Sequence, residues 1–277
     1  TLRRESRNKE DDPEEGKTTR RNGRQPGNEE FMYQFFVEDE QIANDLVIIE
    51  GSDVNHIRNV LRMKCGEKVR ISSTSGRNFF GTIDRIAENV VEVCITEETA
   101  LDTELPCRIC LFQGLPKSDK MELIVQKAVE LGVYEIVPVA TKRAVVKLDA
   151  KKEEKKRLRW QSIAESAAKQ AGRALIPQVA PCMNFDKALR MCNGLDAALI
   201  PYEKAEGMQH ARDQVRALHG KHSIGIFIGP EGGFEESEIE AARGAGAVPI
   251  TLGHRILRTE TAGLTMLSIL MFELEED

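Results

Sequence analysis

Residues 223–234 read Ser-Ile-Gly-Ile-Phe-Ile-Gly-Pro-Glu-Gly-Gly-Phe. The first six are short, apolar and rich in Ile, as a strand buried on both faces should be, and the Gly-Pro-Glu-Gly-Gly run then stops it. A helix is expected over about 235–244, a strand over 248–252 and a last helix over about 260–274. Strands that end in a loop and feed a helix, repeated, build a parallel α/β sheet with helices on both faces. Working back toward the N-terminus, the same rhythm continues. The expected elements are strands at 197–200, 134–139 and 108–112 and helices at about 206–218, 152–171 and 118–131, the last stopped by Gly132. The long helix carries an apolar stripe of Ile163, Ala164, Ala167, Ala168 and Ala171. No internal repeat is visible.

Upstream of Pro106 the rhythm is different. Val69-Arg-Ile-Ser-Ser73, Asn78-Phe-Phe-Gly-Thr-Ile83 and Val90-Val-Glu-Val-Cys-Ile95 are strand-like, with Gly76 and Asn89 as turn signals between them. This spacing predicts a small β-barrel over 32–104, ahead of an α/β domain over 105–277. One helix interrupts it at Asp53–Arg62, with Ile57, Val60 and Leu61 on one face and Asp53 as N-cap. Residues 1–31 hold eight Lys/Arg and eight Asp/Glu and almost nothing apolar, so they are expected to be a disordered extension, with Met32 as the natural start.

Of the 277 residues, 41% are hydrophobic and 30% charged, which supplies a core and excludes a largely disordered chain. The longest near-continuous apolar run, Leu264 to Phe272, is far short of the roughly 20 residues of a membrane span. With no signal peptide read ahead of the folded part, a cytoplasmic protein with no membrane association is expected. The six cysteines are scattered and read as free thiols. Cys107-Arg-Ile-Cys110 sits on a strand and has no second pair, and His219-Gly-Lys-His222 has no flanking ligand, so no metal is expected. There is no GxGxxG fingerprint, no Walker A loop and no GxSxG elbow, which weakens most of the common α/β enzyme readings.

Three strand-to-loop junctions fall in the last third: Ala198-Leu-Ile-Pro-Tyr-Glu203, Ile226-Phe-Ile-Gly-Pro-Glu-Gly-Gly-Phe234, and Leu252-Gly-His-Arg-Ile-Leu-Arg-Thr-Glu-Thr-Ala-Gly263. Ligands of open α/β sheets bind outside the carboxyl ends of strands. Gly229, Gly232, Gly233 and Gly253 allow backbone to approach a ligand. One such junction is an ordinary tight turn, whereas three in one sheet point to a shared pocket. Thr259 is the expected N-cap of the last helix. Arg258 and Glu260 would put a cation and a carboxylate beside the pocket.

Together, Gly229–Gly233 and Leu252–Ala262 resemble the hallmark segments of the ribosomal RNA small-subunit methyltransferase E family, knotted enzymes of the SPOUT class. So do Gly114-Leu-Pro-Lys-Ser-Asp-Lys-Met-Glu122, Lys127-Ala-Val-Glu-Leu-Gly132, Glu165-Ser-Ala-Ala-Lys-Gln-Ala-Gly-Arg173 and His56-Ile-Arg-Asn-Val-Leu-Arg-Met63. The resemblance covers about 32–277. It departs at Glu235, where Ser or Thr is expected as a helix cap. It implies a PUA-like barrel that holds RNA, a C-terminal domain tied in a trefoil knot, a homodimer with the site at its interface, and methylation of N3 of a uridine in 16S rRNA of the small ribosomal subunit. S-adenosylmethionine would be the cofactor. It carries no phosphates, so the missing phosphate loop is no objection. The residues expected around it are Ile200, Pro201, Gly229, Pro230, Gly232, Gly233, Leu252, Gly253, Ile256, Leu257, Thr261 and Ala262. Arg258 is the expected catalytic cation, and Glu260 the candidate proton acceptor unless it only supports the helix or pairs with Arg258. Within the class, another RNA or a ribose 2′-hydroxyl is the rival acceptor, and a non-catalytic RNA-binding assembly factor is the rival outside it.

The net charge of −6 argues against a non-specific nucleic-acid coat, so any RNA surface must be local. His56–Arg70 holds five Lys/Arg against one Glu, and Lys142–Arg173 eleven against four Asp/Glu. Arg58, Arg62, Arg143 and Arg173 are the expected RNA contacts, because phosphate contacts dominate nucleic-acid affinity.

Overall fold

The computed structural model describes residues 32–100, 103–144, 150–205 and 207–275. The expected extension at 1–31 lies outside them. Two sheets follow one another along the chain. The first contains β1 (Gln34–Val37), β2 (Ile42–Ala43), β3 (Leu46–Glu50), β4 (Lys68–Ser73), β5 (Asn78–Ile86) and β6 (Val90–Thr99), in the order β1-β4-β5-β6-β3-β2. All its pairs are antiparallel except β1 with β4. Alternate residues face inward: Val47 and Ile49, Val69 and Ile71, Phe79 and Ile83, Val91 and Val93 form one core with Phe35 and Val37.

The helix between β3 and β4 differs from the expectation. Helix α1 (Ser52–Asn55) runs into a π-helical turn over His56–Leu61. Its N-cap is Gly51, at φ +73°, and Asp53 instead pairs with Lys169. The wider winding breaks the expected stripe: Ile57 is buried, whereas Val60 is 61% exposed. The turn ends on Arg62 in the left-handed region (φ 55°, ψ 39°), which is unusual for a residue other than Gly.

The second sheet contains β7 (Arg108–Gly114), β8 (Glu135–Ala140), β9 (Gln178–Val179), β10 (Met183–Asn184), β11 (Ala197–Pro201), β12 (Ser223–Ile228) and β13 (Ala247–Ile250). It is parallel throughout, in the order β10-β8-β7-β12-β11-β13, with β9 also on β8. Its helices are α2 (Lys120–Glu130), α3 (Ala150–Ala171), α4 (Phe185–Cys192), α5 (Met208–Arg216), α6 (Glu236–Gly244) and α7 (Thr259–Leu274). Residues of α2, α3, α5 and α7 pack on one face, against Ile109, Leu111, Ile224 and Ile226. Those of α4 and α6 pack on the other, against Cys110, Phe112, Val137 and Phe227. The expected α/β architecture is therefore present, with Cys107 and Cys110 in opposite cores. Helix α4 was not anticipated. Its signals were there: Phe185, Ala188, Leu189 and Cys192 at helical spacing, and an Asn184 cap that accepts from the Lys187 N–H at 2.8 Å.

β7 and β12 are neighbours although distant in the chain, and ligands of such open sheets bind beyond the carboxyl ends of the strands. From the edge strand β13 the chain returns through residues 251–258 to set α7 against α2 and β12.

At the centre of the second sheet Phe227 stacks on Phe112 (centroids 4.4 Å apart, 7° between planes) and meets Phe185 edge-on at 5.8 Å. Phe227→Ala should therefore cost about 3–5 kcal/mol in denaturant unfolding. Val60→Ala, on the exposed side of the π-turn, should stay within about 0.5 kcal/mol.

Candidate functional site

The loops that leave β11, β12 and β13 meet at one end of the sheet around a cavity of about 820 Å³. This is within the range of small-molecule sites. The first loop supplies Pro201, Tyr202, Glu203, Ala205 and Gly207, the second Gly229–Phe234, and the third Thr251–Arg258; Lys120 of α2, Met208 of α5, Ile228 of β12, and Thr259 and Ala262 of α7 complete the wall. Glycines make the convergence possible. A Cβ on Gly114, at the end of β7, would lie 2.7 Å from both N and Cδ of Pro230, so only glycine lets that loop close down on the strand. Gly233 (φ +66°) and Gly253 (φ +108°) adopt backbone that other residues avoid.

Polar bonds brace the loops from behind. Gln113, fully buried on β7, donates through Nε2 to Thr259 Oγ1 (2.9 Å), and that hydroxyl donates to the Gly229 carbonyl (2.6 Å). Thr259 is thus not the N-cap of α7. Arg258 occupies that position and Thr259 faces inward. Arg143 Nη1 donates to the Gly232 carbonyl at 3.0 Å. At α6, Glu235 and Glu238 form a reciprocal capping box, so the missing Ser or Thr costs no cap. The buried Glu238 also accepts from the Lys142 N–H at 2.9 Å.

The electrostatic centre is Lys120, whose Nζ lies 3.2 Å from Glu231 and 3.1 Å from Glu260. Burial pushes both carboxyls up. For Glu260, its own backbone N–H, Lys120 and Arg258 outweigh this, and it is held below the usual carboxylate range. Glu231 is lowered likewise by its own N–H, the Lys117 N–H and Lys120. Lys120 is raised in turn, chiefly by Glu260. Glu260 is thus a stably anionic group paired with Lys120, and Arg258 adds a more distant attraction.

Most residues expected from the sequence come together here, and some do not. Pro201, Gly229, Pro230, Gly232, Gly233, Leu252, Gly253, Leu257 and Ala262 line the cavity, as does Arg258. Ile256 also lines it and is 95% exposed. Ile200 is fully buried and points into the core beneath α4 and α6, because alternate residues of a strand face opposite sides. Thr261 is exposed on α7 and is not among the residues that line the cavity. Arg58 and Arg62 are exposed on the π-turn, with Arg58 Nη1 donating to the Glu88 carbonyl. Arg173 cannot be an RNA contact: it is 3% exposed and its guanidinium is spent on Glu104 and on the carbonyls of Val129 and Val133. Lys120, Tyr202, Met208 and His254 belong to the wall and were not foreseen. Lys120 lies within the 114–122 motif, but its pairing depends on carboxylates more than 100 residues away. Among the described residues no cluster could hold a metal ion, and no helix is long and apolar enough to cross a membrane.

A family model described as an RNA methyltransferase domain matches residues 103–271, and one described as an RNA methyltransferase PUA domain matches 49–93. The ribosomal RNA small subunit methyltransferase E of Bacillus subtilis (strain 168) is 38% identical over 230 residues, which cover 82% of this chain and 90% of that protein. The protein of the same name from Mesomycoplasma hyopneumoniae (strain 232) is 33% identical over 237 residues, covering 86% and 98%. Among solved structures, a ribosomal RNA small subunit methyltransferase E from Neisseria gonorrhoeae, bound to S-adenosyl methionine, matches with a TM-score of 0.77 at 32% identity. That match covers 87% of this chain and 97% of the other.

Both glutamates beside Lys120 have folded pKa values below their ordinary value of 4.5. Their pairing therefore stabilises the fold fully above that pH, and the contribution is lost as pH falls through the lowered values. Lys120→Met should be less stable than wild type at neutral pH in thermal melts, with the deficit shrinking below about pH 4. A deficit that is constant with pH would mean that Lys120 acts through packing.

Proposed function

Because this chain belongs to the ribosomal RNA small subunit methyltransferase E family, we propose that it transfers a methyl group from S-adenosylmethionine to N3 of a uridine in 16S rRNA. The observation that carries this reading is the convergence of three strand-end loops and Arg258 on one cavity, with Glu260 paired to Lys120 in its wall. The residues present fit the cofactor. Gly229, Gly232, Gly233 and Gly253 expose backbone that can bond an adenine edge, Leu252 and Leu257 supply apolar surface, and Glu203 and Glu231 are anions suited to a cationic ligand. When bound, the cofactor supplies an electrophilic methyl group on a sulfonium.

N3 of uracil carries a proton at neutral pH and becomes nucleophilic as that proton leaves. Negative charge then spreads over N3, O2 and O4, and a cation beside the carbonyl oxygens in a partly dry site favours this state. Arg258 is the group assigned to that role. Lys120 is held between two carboxylates and is less available. Glu260 is the candidate acceptor of the proton, directly or through water. Its pairing with Lys120 weakens it as a base, so its part is open to a direct test.

We further infer that the first sheet closes as a PUA-like barrel over 32–104 and that 105–277 forms the knotted methyltransferase domain. The return of the chain from β13 past the other loops to α7 is the course a knotted chain takes. A homodimer fits the apolar exposure of α7, where Phe272 is 84% and Ile269 38% exposed, and of the loop before it, where Ile256 is exposed. A cytoplasmic site of action follows from an rRNA substrate.

Mass spectrometry of 16S rRNA from a deletion strain should show the loss of one N3-methyluridine, restored by the purified protein with S-adenosylmethionine. A lost ribose methyl group would instead assign a 2′-hydroxyl acceptor. Arg258→Ala should abolish turnover with little loss of cofactor affinity in calorimetry. Glu260→Gln should slow methylation at neutral pH and recover at higher pH, where uridine deprotonates unaided; a pH–rate profile like wild type would remove Glu260 as the base. Light scattering should give twice the chain mass, and a fully active monomer would refute the interface.

A further inference from the structure

Arg173 lies where three parts of the molecule meet. Its side chain is buried, and nearly all its donors are used. Nε bonds Glu104 at 2.8 Å, Nη2 bonds the same carboxylate and the Val133 carbonyl (3.1 Å), and Nη1 bonds the Val129 carbonyl (2.7 Å). Glu104 stands on the segment between the two sheets, and it also accepts from the Ala174 N–H at 2.8 Å. The carbonyl of Arg173 accepts from Gln34 Nε2 of β1 at 2.7 Å, and that amide also donates to Ser72 of β4. One turn earlier on α3, Lys169 Nζ holds Asp53 of α1 at 2.9 and 3.0 Å. Phe36 of β1 packs against the α2–α3 core beside this joint.

We propose that Arg173, with Glu104 and Gln34, is a positioning residue that fixes the first-sheet domain relative to the cavity, so that RNA held on the one is presented to the other. The proposal rests on the RNA methyltransferase reading above. A residue that merely closed α3 against α2 would need only the two carbonyls. Here the linker carboxylate and the first sheet converge on the same residue. A buried ion pair is weak as a source of stability but effective as a device of registry, because any other arrangement strands a charge. Arginine's fork meets the carboxylate and both carbonyls at once, which a lysine cannot do. The joint is also adjacent to the exposed Arg58 and Arg62 through Asp53, so loosening it would let that basic turn wander. Catalysis is sensitive to such wandering, since a displacement of about 1 Å can cost about a hundredfold in rate.

Four variants test this: Arg173→Lys, Arg173→Gln, Glu104→Gln and Gln34→Ala. The last strands no charge, and it carries the test if the others fail to fold. Amide hydrogen exchange reads the joint without reference to activity. Exchange should rise in residues 34–37 and 52–61 while β12 stays as in wild type; unchanged protection in every folded variant would overturn the joint. Methylation of small-subunit RNA should show kcat falling about tenfold or more in Arg173→Gln and less in Arg173→Lys, with KM little changed. Binding of S-adenosylmethionine should stay at its wild-type affinity in calorimetry. Looser exchange with wild-type kcat would overturn the positioning role. A salt dependence of RNA binding flattened by about one unit would restore Arg173 as a phosphate contact and also overturn it. If the wild-type protein methylates no RNA, the functional reading fails, and the exchange data still decide whether Arg173 locks the domains.

Discussion

The hydroxyl of Thr259 holds the site together. It takes a hydrogen bond from Gln113 on the central strand and gives one to the carbonyl of Gly229, so the start of the last helix, the end of β7 and the loop after β12 share one buried oxygen. None of the three is near another in the chain. The last helix can reach this point only because residues 251–258 carry it back from the sheet edge, and the loop after β12 only because Gly114 offers no Cβ to Pro230. The cavity exists because these conditions hold together. Each alone would describe an ordinary α/β crossover, and the combination leaves a hollow walled by backbone at the carboxyl ends of three strands.

Much of this was legible in the sequence, for a physical reason. Buried parallel strands must be apolar, and strand-to-helix junctions must carry glycine or proline wherever backbone is crowded, so both layers of the second sheet and all three loops announce themselves locally. What was misread depends on partners distant in sequence or on small changes of winding. Asp53 has the composition of a helix cap, yet a lysine 116 residues away takes its carboxylate. Val60 has helical spacing, yet a π-turn rotates it into solvent. Arg173 sits in a basic stretch that reads as RNA-facing, and only the fold reveals that its guanidinium is turned inward. Ile200 was assigned to the pocket by proximity in sequence, and the alternation of its strand sends it to the other core.

The arginines make the same point about charge. Arg58 and Arg62 are exposed, Arg143 braces a glycine carbonyl at the rim of the cavity, and Arg173 is internal. A count of basic residues over 142–173 treats the last two as equivalent to surface lysines. Arg143 is exposed and also bonds a loop carbonyl, whereas the Arg173 guanidinium is bonded inside the fold. In a protein with a net charge of −6, committing Arg173 to the interior leaves a smaller and more local basic surface. Such a surface favours RNA engaged at defined points over RNA coated at large.

The division of labour at the cavity follows from the same economy. Lys120 pairs with both Glu231 and Glu260 at the root of the last helix, and this pairing helps hold both carboxyls below their ordinary pKa. A site that must stabilise negative charge on a bound base needs a cation that is not already satisfied. Lys120 is already paired with both carboxylates. Arg258 stands at the helix cap, exposed and at the edge of the cavity, with only a longer-range attraction to Glu260 to orient it. The half-buried lysine is paired with Glu260 in the first turn of the last helix, and Arg258 caps that same helix. The arginine at the edge of the cavity and the lysine in its wall are thus joined through Glu260 at the start of the last helix.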